Sequence, residues 1–224
     1  DFDGTNDNLL SADNAATGLD QQFLSMACWA RRDGATLLQV LIDLITAAAG
    51  ANRAIMRYSA GDFFQFAHVT SGTTGIWDEN TAAITQGVAY HLAVTFDRGN
   101  INNDPVLYIN GASVTVHEDT TPTGAFATGA DTIKMGENVA GTNDLDGAIQ
   151  HAALQGSATA VWDAAAVNRA KWWGRPHGGL TSYFPFVTNK LTDEGSAGAT
   201  LTASGSTVAS FVTPVVRPGM DLGW

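Results

Sequence analysis

The chain has 224 residues, 45% hydrophobic and 15% charged, which is enough apolar material for a sizeable core and an ordinary length for a single β-sandwich. Twenty-two acidic against eleven basic residues give a net charge of −11, and the three lysines and eight arginines are scattered. Polyanion binding draws on clustered cations, so nucleic acid and acidic membrane surfaces are excluded as expected partners.

The first predicted strand lies near 9–12 and the second near 23–31. The second is apolar on both faces and holds Cys28, the lone cysteine, expected to be a buried, inert thiol that forms no intrachain disulfide. Leu37 to Ala49 is the most apolar run, but Gln39 and Asp43 interrupt it, and no segment approaches the roughly 18 apolar residues that span a bilayer. Its Leu and Ala content suits a helix, while Leu38, Val40, Ile42 and Leu44 alternate as in a strand. Further strands are predicted near 53–59 and 62–68, followed by a loop holding Gly75-Ile76-Trp77-Asp78-Glu79-Asn80.

The segment 89–96 alternates most clearly, with Tyr90, Leu92, Val94 and Phe96 on one face and His91, Ala93 and Thr95 on the other. Strands near 106–110 and 112–117 flank Asn110-Gly111, the dipeptide favoured in two-residue hairpins because both positions take positive φ. Strands near 131–136 and 147–154 follow. A helix is predicted over 163–173, with Asp163 as N-cap, Gly174 as C-terminal cap residue, and Ala166, Val167, Ala170 and Trp173 as its apolar stripe. Two more strands, near 181–186 and 200–203, flank a polar Gly-rich turn. Residues 213–224, with Pro214, Pro218 and a terminal Trp224, read as an extended arm, leaving 1–212 as one domain. The N-terminus has neither a Met nor the layout of a signal peptide, as a trimmed form would.

Four signatures occur in order over residues 1–155: Asp1-Phe2-Asp3-Gly4, Phe23 to Arg32, the pair Tyr90–Asp97 and Leu107–Val114, and Ile133–Gly136 followed by Leu145–Leu154. Together they resemble the laminin-G-like, concanavalin-A-like family, although Gln150 stands where that family usually has Asp. The resemblance implies an all-β, antiparallel two-sheet jelly-roll sandwich with one short helix packed against one end. It also favours a strand over 37–44, and it puts the opening Asp1–Gly4 strand and the 147–154 strand in one sheet.

Related glucanases present two carboxylates from a Glu-x-Asp-x-x-Glu strand, and the chain has no such pattern; Glu79, Glu118, Glu137 and Glu194 are far apart. The five histidines, His68, His91, His117, His151 and His177, show no metal-protease or paired-ligand spacing and are expected to be structural. Laminin-G-like modules commonly bind Ca²⁺ through Asp, Asn and backbone oxygens. By that resemblance Asn143 and Asp144, with Asp3, Asp7 and Asp146 nearby, form a candidate calcium site, set against a plain turn-forming role for the same residues. No other cofactor is expected.

Sugars stack on aromatic faces, and Trp77, flanked by Asp78 and Asn80, is the candidate glycan platform, while Trp29, Trp162, Trp172 and Trp173 are given core or helix-packing roles. The expected function is a non-catalytic binding or structural module on a virion or other extracellular surface, of the capsid-decoration or fibre type. Its expected partners are protein subunits, engaged through the Pro214–Trp224 arm, together with glycan. A carbohydrate-binding module of a bacterial secreted protein is the alternative, and a glycoside hydrolase is the third reading.

Overall fold

The computed structural model describes residues 2–11, 18–34, 37–45, 52–81, 84–126, 132–138, 140–173, 180–184 and 200–204. In chain order these form β1 (Phe2–Asp3), β2 (Asn8–Ser11), β3 (Phe23–Arg32), β4 (Gln39–Ile45), β5 (Arg53–Tyr58), β6 (Phe64–Val69), β7 (Gly75–Asp78) and β8 (Ala89–Asp97). There follow β9 (Val106–Ile109), β10 (Ala112–Ser113), β11 (His117–Thr120), β12 (Thr132–Met135), β13 (Asp146–Ser157), α1 (Ala164–Trp173), β14 (Ser182–Phe184) and β15 (Leu201–Ser204).

The strands make two antiparallel sheets. One runs β1-β13-β3-β8-β9-β10, with β14 also on β13; the other runs β11-β7-β6-β5-β4-β12-β2-β15. This is the expected jelly-roll sandwich, and Phe2↔Gly147 and Asp3↔Asp146 put the first strand beside β13 as expected. The alternating run 37–44 is a strand, paired to β5 and β12, so period prevailed over the helix propensity of its residues.

Period two also assigns the faces of β8. Leu92, Val94 and Phe96 join the inter-sheet core with Leu24, Met26 and Cys28 of β3, and Tyr90 packs against it. On the opposite face Ala93, with Ala27 and Ala153, makes a shallow floor of small residues that Trp162, Ala166, Val167 and Ala170 cover. The helix therefore lies across the outer face of the first sheet, not at an end of the sandwich, because alanines in three neighbouring strands let it approach closely. Asp163 caps it, its Oδ1 accepting the Ala166 N–H at 2.7 Å. Trp29 donates its indole N–H to the Lys171 carbonyl at 3.0 Å, tying the far end of the helix to β3.

The Asn110-Gly111 turn has φ of 53° and 82°, as its hairpin role requires. A Cβ on Gly111 would also meet Asn168 Oδ1 at 2.3 Å, so the hairpin tip touches the helix only because that residue is glycine.

Two further expectations are corrected. The strand predicted at 112–117 is two elements in different sheets, since β10 pairs β9 whereas β11 pairs β7. The stretch read as a loop around Trp77 is the short strand β7, held between β6 and β11. Cys28 is fully buried, and desolvation pushes its thiol up to about 12, so it is inert as expected. No helix among the described residues is long and apolar enough to cross a membrane.

Candidate functional site

Trp77 is wholly buried. Its ring stacks on Phe66 with centroids 6.1 Å apart and tilts against Phe96 at 5.6 Å, while its N–H donates to Asp104 Oδ1 at 2.8 Å. A tryptophan with a satisfied N–H inside an aromatic cluster gains roughly 2–3 kcal/mol from burial. It offers no face to a sugar, so the expected platform of Trp77, Asp78 and Asn80 is replaced by a different arrangement: Asn80 is exposed, whereas Asp78 is buried at the end of β7. Trp29 and Trp162 are buried as expected; Trp172 is 38% exposed, with Lys171 Nζ 4.6 Å above its ring.

A cavity among the described residues lies at one rim of the sandwich, where residues of both sheets meet the loops at 99–101 and 124–126, and has a volume of about 320 Å³. β6 contributes His68 from one sheet, β8 contributes Phe96 from the other, and Arg98 follows directly after β8. Phe126 closes a third side, with the Arg98 guanidinium carbon 3.9 Å from its ring centroid. Of the remaining lining residues Gly99, Asn100, Gly124 and Ala125 are exposed and form the mouth, and Ile101 is half-buried. Arg98 is fixed by donating from Nη2 to the Leu19 carbonyl at 2.7 Å and to the Gln21 carbonyl.

His68 is 2% exposed, and neither ring nitrogen makes a hydrogen bond among the described residues. Its ring meets Phe96 edge-on at 5.1 Å and lies 5.8 Å from Phe126. Desolvation, then the charge of Arg98, lowers its pKa from 6.5 to about 3, so the imidazole is neutral, with one donor and one acceptor to offer. This histidine departs from the expected hydrogen-bonded structural role. His151 keeps to it, its Nδ1 2.8 Å from the Tyr183 hydroxyl.

The candidate calcium residues Asn143 and Asp144 lie beside a lysine–glutamate pair. Glu137, beside Asp144, accepts hydrogen bonds from Lys134 Nζ and Asn8 Nδ2, both at 2.7 Å, and the ammonium of Lys134 already supplies positive charge there. Asp144 is half-buried, its pKa raised by burial and by the charge of Glu137. Asn143 takes a left-handed turn conformation, φ 63°, and its carbonyl accepts the Val40 N–H at 3.0 Å, which is the turn role weighed against calcium. Asp146 does approach Asp3 and Asp33; burial and then those two charges raise its pKa.

The metal-competent cluster among the described residues is elsewhere: Asp78, His117 and Asp119 offer donor atoms all within 4.8 Å of one another. Burial and then the Asp119 charge raise the pKa of Asp78. A His-x-Asp pair in a strand was the available signal, but its third member sits in another strand. The arm residues Pro214, Pro218 and Trp224, with Gly174 and Glu194, lie outside the described residues.

The sequence of residues 3–162 matches the model of the concanavalin A-like lectin/glucanases superfamily. The chain belongs to this superfamily. Proteins of known structure share its fold at low identity. A Bacteroides ovatus protein, provisionally named a carbohydrate-binding protein, is 13% identical with a TM-score of 0.64 over 96% of this chain and 61% of its own. The chain thus spans about three fifths of that protein's length. A heptameric SAP-like pentraxin from Limulus polyphemus is 12% identical, with a TM-score of 0.59 over 91% and 93%. The CBM40 of a Ruminococcus gnavus sialidase, solved with α2,3-sialyllactose, is 14% identical, with a TM-score of 0.50 over 71% and 91%. Comparison with curated protein sequences gives no match.

Proposed function

We propose that this superfamily member is a non-catalytic carbohydrate-binding module whose rim cavity takes the terminal sugar of a glycan. The observation that carries the proposal is His68, a buried neutral imidazole without a hydrogen bond among the described residues, lining a cavity beside the Arg98–Phe126 stack. An unsatisfied buried polar group costs about 1–3 kcal/mol, and a sugar hydroxyl, both donor and acceptor, relieves either ring nitrogen. A volume of about 320 Å³ stands at the low end of the roughly 300–1,000 Å³ of ligand pockets, which suits one sugar ring, not a run of polysaccharide. The cavity lining holds no carboxylate among the described residues, so a glycosidic bond there meets no acid–base pair. The sialyllactose seen on the Ruminococcus module and the name of the Bacteroides protein support a glycan as the ligand class. Display belongs on an exterior surface, of a cell or of a virion, where glycans are met.

The test is a glycan array probed with the labelled chain, followed by titration calorimetry on the best ligand. Binding that falls at least tenfold in both His68→Phe and Phe126→Ala, with folding retained, supports the cavity. Absence of any ligand, binding unchanged in both variants, or release of free sugar on incubation overturns the proposal.

A further inference from the structure

We propose that Asp78, His117 and Asp119 form a binding site for a divalent transition ion of the zinc class, at the outer edge of the second sheet. The site is independent of the glycan cavity and of the candidate calcium residues.

The placement follows from strand geometry. β11 is the edge strand of its sheet and β7 its neighbour, and Asp78 stands directly opposite His117 in the register. His117 and Asp119 are two residues apart, and the β-bulge between Glu118 and Thr120 leaves Asp119 out of the ladder with its carboxylate against the His117 ring. A cross-strand pair and an i,i+2 pair thus converge: His117 Nδ1 is 2.8 Å from Asp119 Oδ1 and 3.7 Å from Asp78 Oδ1. Metal–ligand bonds of about 2.0–2.2 Å hold neighbouring donors roughly 3–3.5 Å apart, so small rotations of the two exposed side chains complete the set.

A group of two carboxylates and an imidazole is also what an ion-paired surface trio looks like. Asp78 separates the two cases. The residue is 6% exposed, yet its Oδ1 is buried, makes no hydrogen bond among the described residues and faces His117 Nδ1 3.7 Å away. Its other oxygen accepts a long hydrogen bond, 3.5 Å, from Gln65 Nε2, and Gln65 is itself held by Arg57, which donates Nε–H to Oε1 at 2.7 Å. A carboxylate oriented from behind while its front oxygen is left desolvated is arranged as metal ligands are, with outer partners fixing the first. A cation supplies what Oδ1 lacks. The side chains of His117 and Asp119 are 53% and 37% exposed, which leaves the outward coordination positions to water or to a ligand.

The donor set selects the ion. One nitrogen with two carboxylates suits zinc and its neighbours, whereas Ca²⁺ prefers six to eight oxygens and gains little from an imidazole. The experiment uses untagged full chain, titrated with ZnCl2 in a calorimeter and with CoCl2 by visible absorption. His117→Ala and Asp119→Asn serve as variants, since both residues are exposed and neither supports the core. The expected result is a saturable one-to-one Zn²⁺ isotherm, cobalt bands in the visible, and reversal by chelator. Each variant should lose more than the ~10–100-fold that outer-partner changes cost. No saturable binding at millimolar Zn²⁺, an isotherm unchanged in His117→Ala, or Ca²⁺ binding as tightly as Zn²⁺ overturns the proposal.

Discussion

His68 should make the fold acid-sensitive in a measurable way. Its pKa is 6.5 in an unfolded chain and about 3 in the folded one, so between those values the unfolded state binds a proton that the folded state does not. Stability therefore falls as pH drops through 6.5, and the loss stops growing below about 3. Each unit corresponds to about 1.4 kcal/mol, so at pH 5 the contribution is a loss of about 2 kcal/mol relative to neutral pH. The residue is almost wholly buried, so solvent screening does not reduce this figure much. The perturbation is His68→Leu, which keeps the volume and removes the titration. Urea unfolding of both proteins at pH 7.5 and pH 5 gives a double difference in which every other titrating group cancels. The wild type should lose about 2 kcal/mol more than the variant on going to pH 5. Equal losses would show that His68 is solvated or hydrogen-bonded, and the case for an unsatisfied imidazole in the cavity would fail with them.

Three further outcomes are expected. Asp163→Ala removes the cap on the Ala166 N–H and should cost about 1 kcal/mol in chemical unfolding, with strand content unchanged by circular dichroism. Trp77→Ala should cost about 3–5 kcal/mol, the range for emptying an aromatic core site, while Asn80→Ala should leave melting temperature within a degree or two. Asp43→Ala should cost about 3–5 kcal/mol, because it strands Arg53, which donates Nε–H to Asp43 Oδ1 at 2.9 Å while Asp43 is fully buried; Asp43 and Arg53 both changed to apolar residues should recover part of it.

The fold was legible where chemistry is local. Alternation in 89–96, the Asn110-Gly111 turn and the Asp163 cap each specify a backbone state within a few residues, and each is found as expected. The Leu-rich run at 39–45 was ambiguous by itself, its alternation set against its helix-favouring composition, and the family resemblance decided for the strand that is found. The site was not legible, because its members share no segment. His68, Arg98 and Phe126 come from two sheets and a loop, and only the stacking of those sheets brings them together. Asp78 and the His117–Asp119 pair meet through the pairing of β7 with β11, and β7 hides in a Thr-, Gly- and Asp-rich stretch with the composition of a loop. Four residues are too few to show a period, so Trp77 looked exposed.

The burial of Trp77 bears on the cavity. Phe96 takes an edge from Phe66 at 5.5 Å and lies 5.6 Å from Trp77 on the core side, while His68 packs against it at 5.1 Å on the cavity side. One aromatic ring is thus shared between the inter-sheet core and the cavity wall. A wall built this way is fixed by core packing, which tolerates few alternative rotamers, and a ligand entering it meets a preformed surface, which lowers the ordering cost of binding. Trp77 thus supports the cavity wall without reaching it, by packing on Phe96, which in turn packs on the imidazole. The aromatic residue singled out as a stacking platform is a support beneath the wall, and the cavity itself is lined by Phe96, Phe126 and His68.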